Sequence, residues 1–245
     1  MFKVKKIDNK SVIYSDLIPE LEHFFTTRES VIRSNESNVD IVSNYKSIVD
    51  YLNISEKDFI SPQQTHSSNV KILSDSVDLT DTDGIILNDF KHAVYLNFAD
   101  CVPIILYDKE KNIASVVHGG WRGTVKNIVI NALNIMTSQL GCKKNNIYSI
   151  IGPAISKCCF SVGEDVSEQI VRSVNNADDL IIKKEGLIFA DLKLTNYRQL
   201  SEFGIPDKNI EICPYCTVCN NDMFFSYRKE HGTTSRHSAV IKLRA

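Results

Sequence analysis

The chain is poor in breakers: ten glycines and six prolines in 245 residues stand mostly alone between periodic segments. No proline-, glycine- or serine-rich linker, repeat or low-complexity run divides it, which predicts a single domain over residues 1–245. A charge bias is missing too. With 28 Lys and Arg against 30 Asp and Glu, the formal charge is −2, so composition points to neither nucleic acid nor an anionic membrane as partner. Long apolar runs are also absent. The most hydrophobic stretch, Tyr95 to Tyr107, is interrupted by Asp100, and the basic start MFKVKKIDNK has no apolar segment behind it. Neither a transmembrane helix nor a signal peptide is expected. What remains is 43% hydrophobic and 24% charged, an ordinary globular balance in a chain long enough to bury a real core. The seven cysteines are odd in number and lie mainly in the C-terminal half. This argues against a disulfide framework and for a cytoplasmic protein whose thiols are free or bound to metal.

Short strands are expected in the first thirty residues, with Val12–Tyr14 and His23–Thr26 the clearest. Ile41, Tyr45, Ile48, Val49 and Leu52 recur at helical spacing and predict a helix over 39–52. A second helix is expected from Val125 to Leu140, capped by Thr124 and ended by Gly141. Between the two lie strand-like runs at 70–73, 85–87, 93–98, 102–107 and 113–118. Beyond Gly141 the pattern predicts a strand at 147–151, helices at 165–174 and 194–203, and strands near Ile210 and over 239–243. Strands and helices mix without strict alternation, so the expected class is α+β, a mixed β-sheet with flanking helices.

Strand 102–107, the loop Asp108-Lys109-Glu110-Lys111 and strand 112–118 read as a β-hairpin. If Tyr107 faces Asn112, Cys101 faces His118, with Cβ atoms roughly 5 Å apart and both side chains within reach of one metal ion. Asp100 adjoins this pair on one side. Gly119-Gly120-Trp121-Arg122-Gly123 follows on the other, and two glycines there permit a sharp turn and a close ligand. Cys101 as a small core residue and His118 as a satisfied core histidine is the structural alternative. His66, in Pro62-Gln63-Gln64-Thr65-His66, is a third candidate ligand on a loop before a strand.

At these segments the chain resembles the YfiH-like family, known variously as polyphenol oxidase or laccase domain proteins, purine nucleoside phosphorylases and peptidoglycan editing factors. PQQTHSSNV (62–70), TDGIIL (82–87), ADCVPIILY (99–107), VHGGWRGT (117–124), IGPAISKCCFSVGED (151–165) and FFSYR (224–228) are similar to its motifs, in order. The resemblance covers most of the chain. It implies an α+β fold and a metal site of two histidines and a cysteine at His66, Cys101 and His118. It also implies phosphorolysis of adenosine, inosine or methylthioadenosine and deamination of adenosine. Two departures stand out: the family's usual Asn-Arg pair is Asn44-Tyr45 here, so that cation must come from elsewhere, Arg28 being one substitute; and Ala99 stands where Thr is usual.

Three protein ligands leave the fourth zinc position open for water or substrate. The Glu of an H-x-E deaminase motif is missing after both His66 and His118, which makes Asp100 the nearest acid, with Asp83 behind it. Arg28, Arg122 and Arg228 are the motif arginines available to hold phosphate, and Phe224, Phe225 and Tyr227 are candidates to stack on a purine. The expected ligands are thus a purine nucleoside and phosphate, with Zn2+ as cofactor, in a monomer or homodimer. Cu2+ fits less well: six histidines with no His-x-His pair cannot serve a trinuclear copper centre, and nothing places Met136 or Met223 beside a single His2Cys copper. The rival reading is a metal-free thiol hydrolase acting on a peptidoglycan precursor, with Cys101 as nucleophile and His118 as base. A third is a non-catalytic protein with a closed zinc site. Cys213-Pro214-Tyr215-Cys216, with Cys219, mimics a redox or iron–sulfur motif but lacks the following helix and a fourth downstream cysteine. Cys158-Cys159 reads as core thiols. His23, His92, His231 and His237 join no cluster.

Overall fold

The computed structural model describes residues 1–33 and 40–244. Among the described residues fifteen strands form three sheets. The first runs in the order β1 (Phe2–Ile7), β2 (Lys10–Ser15), β3 (Glu22–Thr26), β15 (His237–Lys242), β7 (Ala93–Phe98) and β4 (Phe59–Ile60). The second runs β14 (Ile210–Ile212), β10 (Ile147–Ile151), β8 (Val102–Asp108), β9 (Ile113–Gly119), β6 (Gly84–Leu87) and β5 (Val70–Ile72). A small third sheet orders β11 (Ser161–Val162), β13 (Leu187–Ala190) and β12 (Ile181–Lys184). Parallel pairs (β4 with β7, β5 with β6, β10 with β14) sit among antiparallel ones, so the class is α+β with mixed sheets. The helices are α1 (Ile41–Leu52), α2 (Trp121–Val125), α3 (Ile128–Ser138), α4 (Glu164–Arg172) and α5 (Leu192–Phe203). Of the helix expected over 39–52, Val39 lies outside the described residues.

Alternation along the central strands assigns the layers. Ile105 and Tyr107 of β8 and Ala114 and Val116 of β9 pack with Phe25, Leu96, Phe98 and Ala239 of the first sheet. Their alternate neighbours Val102, Ile104, Leu106 and Val117 pack instead with α3 and α5. The second sheet is therefore buried on both faces, which is why β8 and β9 read as nearly unbroken apolar runs. The first sheet's other face packs on α1 through Phe24, Ile48, Val49 and Val240.

Two expectations need correction. In the β8–β9 hairpin Tyr107 pairs with Ala114 and His118 with Pro103, two residues out of the expected register. Asp108 extends β8: its carboxylate accepts the turn N–H groups of Glu110 and Lys111 at 2.9 Å and that of Lys143 at 3.1 Å, and Asn112 makes the return at φ +51. Side chains alternate with period two, so a two-residue slip leaves His118 on its expected face. The second helix is not continuous either. It breaks between α2 and α3 at Asn127, which adopts φ +59. Gln199 of α5 donates to the Asn127 side chain and the Thr124 carbonyl, and Asn196 donates to the Thr124 hydroxyl. Thr124 thus anchors α5 and caps nothing.

His23 in β3 is buried, its Nε2 accepting the Ser15 N–H at 3.1 Å and its Nδ1 donating to the Leu21 carbonyl at 2.9 Å. Burial pulls its pKa down to about 4, since a second ring proton would point at the Ser15 donor. The unfolded ring protonates near pH 6.5, so this contribution is complete above about pH 6.5 and is lost as pH falls toward 4, reaching about 3 kcal/mol. Urea unfolding should show that decline, and His23→Gln should flatten it. An unchanged pH slope in the variant would refute the assignment.

Candidate metal centre

β7 leaves the first sheet at Phe98 and β8 enters the second at Val102, so residues 99–101 cross between sheets. The crossing sets Asp100 at φ +86, a conformation aspartate tolerates better than most residues. Three bonds hold it: Oδ1 accepts from the Thr217 hydroxyl at 2.6 Å, Oδ2 from the Arg228 N–H at 2.7 Å, and the carbonyl from the Ile155 N–H at 3.0 Å. Cys101 follows, at the edge of a cavity of about 950 Å³ lined from both sheets. At the end of β9, His118 reaches the same cavity.

His66 arrives on the loop before β5, itself at φ +62. That loop is folded around one carboxylate. Asp83, fully buried, accepts the N–H groups of Thr65, His66 and Ser67 at 3.0, 3.1 and 2.8 Å and the Ser67 hydroxyl at 2.8 Å. Its Oδ1 also takes the Nδ1 of His118 at 2.7 Å. One side chain thus positions both histidines and leaves Nε2 of His118 free to ligate. Burial pushes the Asp83 carboxyl up, but the hydrogen bond and charge of His118 and the loop N–H groups hold it well below the usual carboxylate range. Asp83 is therefore no proton donor to a ligand in the cavity.

Donor atoms of His66, Cys101 and His118 all lie within 4.8 Å of one another, a spacing that suits one ion bonded at about 2.0–2.3 Å. Gly120 leaves the room: a Cβ there would sit 3.0 Å from His66 Cδ2 and 3.2 Å from Cys101 Sγ. Its φ of −65° and ψ of 160° are open to any residue, so this glycine serves close approach and not a sharp turn. Burial raises the Cys101 thiol, yet the charge and hydrogen bond of His118, with a further bond from His66, bring it below its ordinary range. His118 is pushed down by burial and lifted further by the Cys101 thiolate and Asp83. A thiolate is the form a metal requires. Two imidazoles and a thiolate suit zinc with an open position; Met136 lies in the helical core and Met223 against the inter-sheet core, neither lining the cavity.

Around the trio the cavity is strongly cationic. Arg33, Arg122, Arg228 and Arg236 line it against one carboxylate, Asp100, among the described residues, together with the rings of Tyr95, Phe160 and Tyr227. Arg122 lies over the Trp121 ring at 4.4 Å. Arg228 donates to the Ser161 hydroxyl at 2.8 Å and its carbonyl at 3.2 Å. Arg28 lies elsewhere, donating to the Asn221 and Phe224 carbonyls, pairing with Glu230 and covering the Phe225 ring at 4.3 Å. Phe224 and Phe225 are buried and do not line the cavity, which removes them as stacking platforms. Arg33 and Arg236 escaped sequence reasoning because no motif contains them. A backbone bond from Arg236 N–H to the Arg33 carbonyl at 2.8 Å joins them across almost the whole chain. Tyr45, in place of the family's usual arginine, packs on Phe59 and Tyr95 with ring centroids at 5.2 and 6.4 Å, backing the cavity wall.

Comparison with known proteins bears on this site. The chain is 29% identical over 232 residues to the purine nucleoside phosphorylase YlmD of Bacillus subtilis, covering 90% of this chain and 83% of that one. It is 27% identical to adenosine deaminase RL5, from an unknown prokaryotic organism, over 94% of both. The crystal structure of the Bacillus licheniformis hypothetical protein YfiH superposes with a TM-score of 0.88 at 27% identity, over 98% of each chain. The family profile described as multi-copper polyphenol oxidoreductase laccase matches residues 23–244. With that match running almost from end to end, the chain belongs to this YfiH/laccase-like family.

Proposed function

We propose that the chain is a zinc-dependent purine nucleoside enzyme that phosphorolyses adenosine, inosine or methylthioadenosine and deaminates adenosine. One observation carries the reading: a three-donor set, His66, Cys101 and His118, opens onto a cavity walled by arginines and aromatic rings. The relatives named as a phosphorylase and as an adenosine deaminase support the substrate class. Bound by this trio, zinc would supply Lewis-acid polarisation and activation of water. The chain's own residues do the rest. Tyr227, Phe160 and Tyr95 offer faces to a planar base. Arg122 and Arg228, as the motifs indicate, and Arg33 and Arg236, as the cavity adds, hold a phosphate whose oxygen attacks C1′ while the bond to the purine breaks. Asp100, the carboxylate that lines the cavity among the described residues, moves the proton in deamination. Arg28, engaged with Glu230, does not line the cavity and takes no part in binding phosphate.

The experiment is a nucleoside assay with and without phosphate. Adenosine with phosphate should yield adenine and ribose 1-phosphate; adenosine in water should yield inosine and ammonia more slowly. A second reading has one specific observation in its favour: the Cys101 sulfur and a His118 ring nitrogen within 4.8 Å of each other are also the pair of a thiol hydrolase. Cleavage of a peptidoglycan precursor by metal-free protein, with no purine nucleoside consumed, would establish that reading instead. Oxidation of a phenol dependent on added copper would restore the activity in the family's description.

A further inference from the structure

Four of the seven cysteines meet in a second cluster that shares no residue with the His66, Cys101 and His118 set. Sγ atoms of Cys158, Cys159, Cys216 and Cys219 all lie within 4.8 Å of one another, with Cys219 at 3.7 Å from Cys158 and 3.5 Å from Cys159. Four thiolates bonded tetrahedrally to zinc at about 2.3 Å would have their sulfurs about 3.8 Å apart. Disulfide sulfurs stand about 2.05 Å apart, and these are well beyond that. We propose that Cys158, Cys159, Cys216 and Cys219 form a second, structural zinc site that pins the cavity wall.

Local backbone geometry explains how neighbours converge. Residues 156–160 make a helical turn, with Cys159 N–H and Phe160 N–H both donating to the Ser156 carbonyl at 2.9 and 3.0 Å. Successive side chains in such a turn are about 100° apart and not opposed as in a strand. Adjacent thiols can therefore address one ion, and with Cys158 exposed and Cys159 half-buried the expected core role fails. Cys216 to Cys219 forms a tight turn closed by Asn220 N–H on the Cys216 carbonyl at 2.8 Å. Backbone N–H groups of Cys219, Ser156 and Val218 are directed at the Cys216 sulfur, that of Ser156 at 3.4 Å. Such donors stabilise a thiolate held on a metal. Cys213 takes no part: it is buried in the core between the large sheets, so the pair that matters in this segment is Cys216 and Cys219, and its partners lie upstream.

The location gives the site a task. Segment 154–161 and segment 216–219 are also joined by the Ala154–Cys216 bridge with its Thr217 N–H bond to Ala154 at 3.2 Å, by the Ser156 N–H on the Cys216 sulfur and by the packing of Val218 in the helical core. Both carry cavity parts: Ile155 and Thr217 hold Asp100, Phe160 lines the cavity, and Ser161 holds Arg228. An ion bonding all four sulfurs fixes the two segments together.

Elemental analysis of the purified full chain tests this directly. Two zinc ions per chain are expected, falling to one in Cys219→Ser and, independently, to one in Cys101→Ala. Mass-resolved alkylation of the unaltered protein supplies a measure that does not depend on a variant folding: Cys158, Cys159, Cys216 and Cys219 should be protected together and become reactive together on chelation. One ion per chain unchanged by Cys219→Ser, alkylation of exposed Cys158 and Cys219 without chelator, or a disulfide that chelation leaves intact would each overturn the proposal. Loss of the Cys101-dependent ion alone would count against the catalytic centre and not against this one.

Discussion

Cys101→Ala is expected to remove the ion from the His66/Cys101/His118 set and to lower kcat by about three orders of magnitude or more. The thiolate is the only anionic ligand of the three, and Lewis-acid stabilisation is worth several kcal/mol in the transition state, about 4 kcal/mol per thousandfold. The side chain is small and stands at a cavity edge, so truncation costs little packing. Loss of turnover in a variant whose unfolding midpoint matches that of the metal-stripped parent protein therefore reads as loss of chemistry. Cys142→Ala is the matched control, since that thiol is buried by the helices against the second sheet; it should keep both ion and activity at a modest cost in stability. Metal analysis and nucleoside turnover on the two variants check this together. Full activity in Cys101→Ala would remove both the zinc reading and the thiol hydrolase reading, because each needs that sulfur.

Much of the fold was legible because the strands of the large sheets carry strong local signals. β8 and β9 are apolar on both faces, and α1 shows its stripe of Ile48, Val49 and Leu52. What local pattern did not carry was set by tertiary contacts. The hairpin register turned on Asp108 capping its own loop and reaching Lys143, and the helix break at Asn127 on side chains from α5 some seventy residues away. Strands β11 to β13 went unread because this small sheet is mostly exposed or half-buried, so its residues show no alternation of buried and exposed positions. At the site, the hairpin reading pointed to Cys101 and His118 and the family motif to His66, the three that the fold brings within 4.8 Å of one another, and adjacency pointed to Asp100. Arg33 and Arg236 were not legible, since a lone arginine acquires meaning only from what the fold sets beside it. The thiol cluster was hidden similarly: the search for a fourth cysteine looked downstream of Cys219, while the partners lay at Cys158 and Cys159.

Asp83→Asn should lower metal affinity at the histidine–cysteine site by about 10- to 100-fold, with activity falling alongside. The substitution preserves volume, so the argument rests on protons. Oδ1 of Asp83 accepts both His118 Nδ1 and the His66 N–H, while Oδ2 accepts the N–H groups of Thr65 and Ser67. Asparagine has one acceptor oxygen and one donor amide. If the amide takes the Oδ1 position, the ring must carry its proton on Nε2, where the ion needs a lone pair, and the His66 N–H meets a donor; if it takes the Oδ2 position, it opposes the Thr65 and Ser67 N–H groups and loosens the loop on either side of His66. The first orientation disturbs both histidines, and the second loosens the loop that carries His66. A buried carboxylate that merely tied the loop down would show in thermal stability alone, whereas a positioning role shows as weaker metal binding at temperatures where the variant is fully folded. Excess zinc should then recover part of the turnover in Asp83→Asn and none in Cys101→Ala. Unaltered metal affinity in a folded Asp83→Asn protein would mean that the His118 tautomer is set by something other than this carboxylate.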